Sequence, residues 1–341
     1  MRLVLRADGD GRIGIGHVTR MLALAEEVRW RGGDVTMAAV RIDEGLLDRA
    51  RAVGVTVEQG DLDAGSDDDA SWLAARARAH EADWVVVDGY RFDHRYQQAL
   101  AEARLRVVFV DDLGGCERYD ADVVLNQNAF ATDVMYERRR PGTRLLLGPR
   151  YALLRRAFAA AAGHTRRVGA RATRVLVTLG GADPEGAAAR VLEALALVPG
   201  DGLRVKVVSG PSNPRHRRLL DRGTDPRVEV LAAAEDMIPL MTWADLAVTG
   251  AGSTVYELCC LGVPTLVVAI TRSQIESARA LDREGLAVDL GWHGAMVAAS
   301  AARTIAAVCE DGPRRTDLVR RGRARVDGRG ASRVVEALAG T

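Results

Sequence analysis

The chain has 341 residues, 48% of them hydrophobic, enough apolar side chain for two α/β domains with separate cores and a large complement for one. Its 47 basic and 46 acidic side chains leave a formal charge of +1, so no broad field favours nucleic acid or an anionic membrane, and charge for a phosphate has to be local. Cys116, Cys259, Cys260 and Cys309 form no Cys-x-x-Cys pair and have no histidine at ligand spacing, which argues against zinc and for reduced thiols in a cytoplasmic protein.

The N-terminus opens directly on a strand, Leu3 to Arg6, with no basic-then-apolar leader, so the chain reads as not exported. No apolar run reaches the ~20 residues of a membrane span. Further short valine- and leucine-rich runs follow at Val35 to Ala39, Val55 to Glu58, Trp84 to Val87, Val107 to Val110, Val123 to Leu125 and Leu145 to Leu147. Helical spacing fills Val18 to Arg31, Leu46 to Val53, Ala70 to His80 and His94 to Ala103. Strand and helix alternation of this kind predicts a parallel sheet buried on both faces.

After Gly148-Pro149 the pattern lapses into an arginine-rich stretch and then restarts. The second set of strands is expected at Val175 to Thr178, Val205 to Ser209, Val228 to Leu231, Leu246 to Thr249 and Thr265 to Ala269. Helices are expected at Ala187 to Leu197, Thr254 to Leu261 and Ser273 to Glu284. The expected architecture is two doubly wound Rossmann-like domains, residues 1–150 and 173–341, joined by a linker over 151–172 and facing across a cleft. Ligands of such sheets bind beyond the carboxyl ends of the strands, so the turns after each strand carry the candidate site residues.

The first such turn, Asp8-Gly9-Asp10-Gly11-Arg12-Ile13-Gly14-Ile15-Gly16-His17, has four glycines that permit close backbone approach to a ligand, with Gly16 at a helix start suited to an anion. Gly9 to Gly14 also fits Gly-x-Gly-x-x-Gly, but strand two ends in Val40-Arg41 and not in the acidic residue a nicotinamide enzyme wants. His17, at the mouth of this loop, is a residue type that can titrate near neutrality, and it is the candidate general base. The next strand ends bring Asp88 and Tyr90, then Asp111 and Asp112, then Asn126, to the same edge. Asp88 or Asp111 would orient the histidine, and Asn126 would bind sugar hydroxyls; Asp112 and Asn128 read as turn formers or caps. No companion ligand pattern marks a metal site here.

In the second half, Gly180 and Gly181 end the first strand as a phosphate-side loop. Gly252, Ser253 and Thr254 start a helix whose amides, hydroxyls and dipole can meet a diphosphate without any lysine, and Glu257, one turn on, can accept ribose hydroxyls. Ser253 or Thr254 as a cap, completed by Glu257 in a capping box, is compatible with that reading. The turn is neither a serine-hydrolase elbow nor a Walker loop. Gln274 follows the next strand as a sugar contact or a helix start.

On these pieces the chain resembles the nucleotide-sugar hydrolases of pseudaminic acid biosynthesis and their spore-coat polysaccharide relatives, within the glycosyltransferase-B superfamily. The matching segments run in order: Gly14-x-Gly16-His17-x-x-Arg20, Asp88-Gly89-Tyr90, Asp111-Asp112, Asn126-Gln127-Asn128, Leu147-Gly148-Pro149, Gly180-Gly181-Ala182-Asp183, Gly252-Ser253-Thr254-x-x-Glu257 and Leu261-Gly262-Val263-Pro264. The resemblance implies hydrolysis of a UDP-linked 2,4-diacetamido-2,4,6-trideoxy sugar without a cofactor. His17 would be the base, Tyr90 a sugar-site tyrosine and Glu257 the ribose ligand. Tyr256 stands where some members have asparagine. Attack of a His17-activated water on the anomeric carbon would invert it and release UDP. Two other readings stay open: a glycosyltransferase, and a catalytically silent nucleotide-sugar-binding partner.

Overall fold

A computed structural model describes residues 1–341 except 12, 164–165, 181–182, 184, 201, 211–212, 214–218, 220–224, 233, 235 and 341. The chain divides into two compact units, Met1–Arg156 with Gly328–Thr341, and Ala157–Asp327.

The first unit runs β1 (Arg2–Ala7), α1 (Gly16–Trp30), β2 (Asp34–Ala39), α2 (Glu44–Val53), β3 (Thr56–Gln59), α3 (Asp67–Ala79), β4 (Trp84–Asp88), α4 (His94–Glu102), β5 (Val107–Val110), β6 (Val123–Asn126) and β7 (Arg144–Leu147). These strands form one parallel sheet in the order β3-β2-β1-β4-β5-β6-β7. The inner strands β4, β5 and β6 read as apolar runs because both of their faces are covered. Leu3 and Leu5 of β1 pack on one side with Val18, Leu22 and Val28 of α1, while Val4 packs on the other with Leu73 of α3 and Leu100 of α4. Two helix starts carry side-chain caps. Ser66 accepts from the Asp69 amide at the head of α3, and Asp93 accepts from Arg95 and Tyr96 at the head of α4.

The second unit runs α5 (Arg156–Ala161), β8 (Arg174–Thr178), α6 (Ala187–Ala196), β9 (Arg204–Val208), β10 (Val228–Leu231), α7 (Ile238–Trp243), β11 (Leu246–Gly250), α8 (Thr254–Leu261), β12 (Thr265–Ala269), α9 (Gln274–Arg283), β13 (Val288–Trp292), α10 (Ala298–Glu310) and α11 (Gly312–Arg325). Its parallel sheet has the order β10-β9-β8-β11-β12-β13. In both sheets the order reverses beside the first strand, β1 or β8, the switch point at which α/β folds bind ligands.

Three features depart from expectation. The expected linker over 151–172 contains the helix α5, and the units divide at Arg156. β13 adds an edge strand beyond those expected from the sequence. The last helix, α12 (Gly330–Ala339), belongs to the first unit and not to a second domain running to residue 341. Its Val334, Val335 and Leu338 are buried in the first core, and Arg31 at the end of α1 donates to Ser332 and Glu336 at 2.6 and 3.0 Å. Among the described residues no helix is long and apolar enough to cross a membrane.

Candidate active site

The site in the first unit assembles where β1, β4 and β5 end. Ala7 and Asp88 are paired across β1 and β4, so the carboxylate that ends β4 lies beside the start of the glycine loop. Gly14, at φ +90°, gives that loop a left-handed turn that glycine adopts without strain, and the chain then enters α1 at Gly16. His17 and Arg20 follow three residues apart, so both point from one face of α1 at the sheet edge.

The result is a buried network. His17 Nδ1 lies 2.7 Å from Asp88 Oδ1. Arg20 donates to both Asp88 oxygens at 2.6 Å, and its two Nη atoms reach the Asp112 carboxylate at 2.7 and 2.9 Å. One guanidinium therefore forks onto two carboxylates, the geometry in which arginine exceeds lysine. Asp88 is fully buried, and burial alone would raise its pKa; Arg20 and His17 outweigh that and hold it well below the usual carboxylate range. For His17, burial disfavours the imidazolium, yet the Asp88 charge and hydrogen bond prevail over burial and over Arg20 and raise the pKa above 6.5. Against an anionic Asp88 the proton sits on Nδ1, so the lone pair is on Nε2, which makes no hydrogen bond among the described residues.

The His17 ring lines two cavities. One, of about 440 Å³, extends toward Asp8, Leu62 and Phe92; the other, of about 250 Å³, extends toward Asp111, Asp112 and Cys116. Tyr90 stands edge-on to the imidazole, with ring centroids 4.8 Å apart and an 82° interplanar angle, and is largely exposed. Its hydroxyl lies 3.4 Å from Asp112, long for a hydrogen bond.

Three of the sequence readings change here. Asp111 does not orient His17: its carboxylate accepts from the Leu113 and Gly114 amides and the Tyr119 hydroxyl at 2.9, 3.0 and 2.7 Å, which shapes its own loop. Asn126 is fully buried, donating to the Tyr136 hydroxyl at 2.8 Å and accepting from the Asn128 amide at 2.9 Å, so its polar groups are spent inside the fold and not on a sugar. Asp112 is no mere turn former, because it is the second anchor of Arg20. Arg20 is a site residue that strand-end position does not mark; its three-residue spacing from His17 on one helix is the signal in the sequence.

In the second unit, β11 delivers Gly250 to a tight turn. A Cβ on Gly250 would come within 2.7 Å of the Ile270 side chain. The turn is braced from α9: Gln274 Oε1 accepts the Ile270 amide at 3.0 Å, and Ser277 donates to the Ala251 carbonyl at 2.9 Å. Gln274 is therefore a loop brace, and its Nε2 lies 3.7 Å from where a Cβ on Gly252 would sit. Ser253 is exposed, Thr254 and Glu257 are half-buried, and Ser253 makes no side-chain cap bond, so the capping box is not formed. The first backbone bond of the turn runs from Val255 to the Gly252 carbonyl at 3.3 Å, leaving the Ser253 and Thr254 amides at the open end of α8. Gly180 ends the β8 loop at φ +86°; Gly181 lies outside the described residues. Asp183, at φ +34°, accepts the Ala187 and Ala188 amides at 2.8 and 3.1 Å and so starts α6.

Comparison with known proteins fits this division. Residues 175–296 match the Glycosyltransferase family 28 C-terminal domain. The chain is 27% identical over 347 residues to the spore coat polysaccharide biosynthesis protein SpsG of Bacillus subtilis, covering 99% of this chain and 98% of that one. It is 22% identical over 292 residues to the UDP-2,4-diacetamido-2,4,6-trideoxy-beta-L-altropyranose hydrolase of Campylobacter jejuni, covering 85% and 99%. The crystal structure of Acinetobacter baumannii MurG superimposes with a TM-score of 0.69 at 15% identity, over 100% of this chain and 99% of the other. The chain thus joins two parallel-sheet α/β domains in the fold of the glycosyltransferase-B enzymes, with a family 28 type segment in its second half.

Proposed function

We propose that this chain hydrolyses a UDP-activated amino or deoxy sugar in the cytoplasm at the anomeric C–O bond, with inversion. The observation that carries the reading is the His17–Asp88 pair. A buried carboxylate fixes the imidazole through Nδ1 and leaves Nε2 bare beside a cavity roomy enough for a sugar and a water. Asp88 orients the base, Arg20 keeps Asp88 anionic, and Tyr90 packs the ring edge. In the second unit the open amides of α8 at Ser253 and Thr254, with Gly252, receive the diphosphate, and Glu257 receives the ribose. Gly16 and Gly180 keep their loops free of side chains near the phosphates. Diphosphate leaves as a stabilised anion, so helix amides that neutralise its charge serve in place of an acid that protonates it. The name of the Campylobacter relative supports the substrate class.

Replacing His17 with alanine tests this. UDP release from a hydrolysed UDP-sugar falls by roughly 10²–10⁴-fold while UDP itself still binds; near-wild-type turnover in His17→Ala ends the reading. The family 28 match favours a second reading, transfer of the sugar to an acceptor hydroxyl by the same base. Incubation without an acceptor separates the two: stoichiometric free sugar supports hydrolysis, and release only on adding an acceptor supports transfer.

A further inference from the structure

The larger cavity beside His17 has a floor that this chemistry leaves unused. Arg6, fully buried in β1, donates to Asp8 Oδ1 at 2.8 Å and grips Asp69 with Nε and Nη2 at 2.9 and 3.0 Å. The backbone amides of Val40 and Arg41 donate to the same Asp8 oxygen at 2.7 and 3.0 Å. Three donors converge on Oδ1, so the carboxylate is fixed in place. Oδ2 accepts no hydrogen bond among the described residues, and Asp8, only 8% exposed, lines the cavity. A carboxylate with one saturated oxygen and one bare oxygen turned to a concave space is set up to receive a donor from whatever fills that space.

The cavity, at about 440 Å³, falls within the roughly 300–1,000 Å³ of small-molecule sites and far exceeds the ~30 Å³ of one water. Among the described residues its wall carries four carboxylates, Asp8, Asp10, Asp63 and Asp88, against two guanidiniums. Those belong to Arg41 and Arg91, which are exposed, and Arg91 lies 3.4 Å from Asp63. The deep part of the wall, at Asp8 and Asp88, is acidic.

We propose that this cavity takes the sugar of the nucleotide-sugar, and that Asp8 Oδ2 is a specificity-determining contact that accepts from a hydroxyl, amide or ammonium group and rejects sugars bearing a carboxylate. The proposal rests on the nucleotide-sugar reading above and adds to it the residue and the class of sugar selected. UDP, UDP-glucose and UDP-glucuronate are the probes, the last two differing only in a hydroxymethyl or a carboxylate at C6. Titration calorimetry on the full chain gives a dissociation constant for each. Binding of UDP-glucuronate is expected to be at least tenfold weaker than that of UDP-glucose. In Asp8→Asn the gap closes to within threefold, while UDP affinity is unchanged. Wild-type constants within threefold of each other, or an unaltered gap in folded Asp8→Asn, overturn the proposal while UDP binding still stands. Failure of UDP itself to bind overturns the underlying nucleotide-sugar reading instead. Should Asp8→Asn not fold, the wild-type ratio decides alone.

Discussion

Replacing Asp88 with asparagine removes one charge from a site where two groups, His17 and Arg20, depend on it. His17 loses the partner 2.7 Å from Nδ1, and Arg20 loses the two 2.6 Å contacts that balance it, keeping Asp112. Breaking a buried pair costs about 3–5 kcal/mol, and because Arg20 retains one carboxylate the lower end applies, about 3 kcal/mol. For a unit of this size about 2–4 °C of melting temperature follows each kcal/mol, so the transition drops by roughly 6–12 °C. Turnover falls by roughly 10²–10⁴-fold because the ring is no longer held as a base. The pH profile carries the sharper signature. Burial disfavours the His17 imidazolium and Asp88 overcomes it, so the wild-type kcat/KM rises with pH through a pKa above 6.5. Without the carboxylate that pKa falls, and the acid limb moves to lower pH while the plateau drops. Initial rates of UDP release across pH 5–9 in wild type and Asp88→Asn measure both effects. A variant with an unmoved limb and a wild-type plateau would refute the pairing.

The other predictions follow from the same packing. Arg20→Met strands Asp88 and Asp112 and costs about 3–5 kcal/mol, whereas Arg20→Lys, which keeps charge but not the fork, costs about 1–3 kcal/mol; denaturant melts rank them. Stability conferred by the depressed Asp88 pKa is present above the unfolded value of 3.8 and is lost as pH falls through the folded one. That conferred by the raised His17 pKa is full below 6.5 and is lost as pH rises through its folded value, so in wild type this pair contributes most between those limits, and thermal melts against pH should lose that contribution in His17→Ala. Ending the chain at Asp327 removes Val334, Val335 and Leu338 from the first core, roughly 5–9 kcal/mol of burial, and limited proteolysis should then open residues 1–156 before 174–325. Tyr90→Phe should alter stability by less than about 0.5 kcal/mol, its hydroxyl being 3.4 Å from Asp112, while Tyr90→Ala lowers turnover by freeing the edge of His17.

Much of the fold was legible because parallel strands covered on both faces leave an uninterrupted apolar signature, as in the wholly buried Trp84–Asp88. β13 escaped because Asp289 and Gly291 interrupt it, and as an edge strand it is only partly buried. The partner of α12 was not readable at all. Its apolar residues at 334, 335 and 338 announce an amphipathic helix, but which sheet it covers depends on contacts with α1 some 300 positions earlier. In the site, strand-end position picked out His17 and Asp88. Choosing Asp88 over Asp111 needed the β1–β4 pairing and the sight of Asp111 bonded to Leu113, Gly114 and Tyr119. Asn126 misled because a polar residue at a strand end serves equally to knit neighbouring loops. The same ambiguity hid Asp112, whose partner Arg20 lies 92 residues away.

The central claim is that His17 activates a water against the sugar carbon. Turnover of a UDP-sugar in ¹⁸O-labelled water, read by mass spectrometry, tests it directly. One heavy oxygen per turnover on the free sugar, with unlabelled UDP and incorporation slowed roughly 10²–10⁴-fold in His17→Ala, is the result expected. Label on the phosphate, or on the sugar at an equal rate without His17, would contradict it.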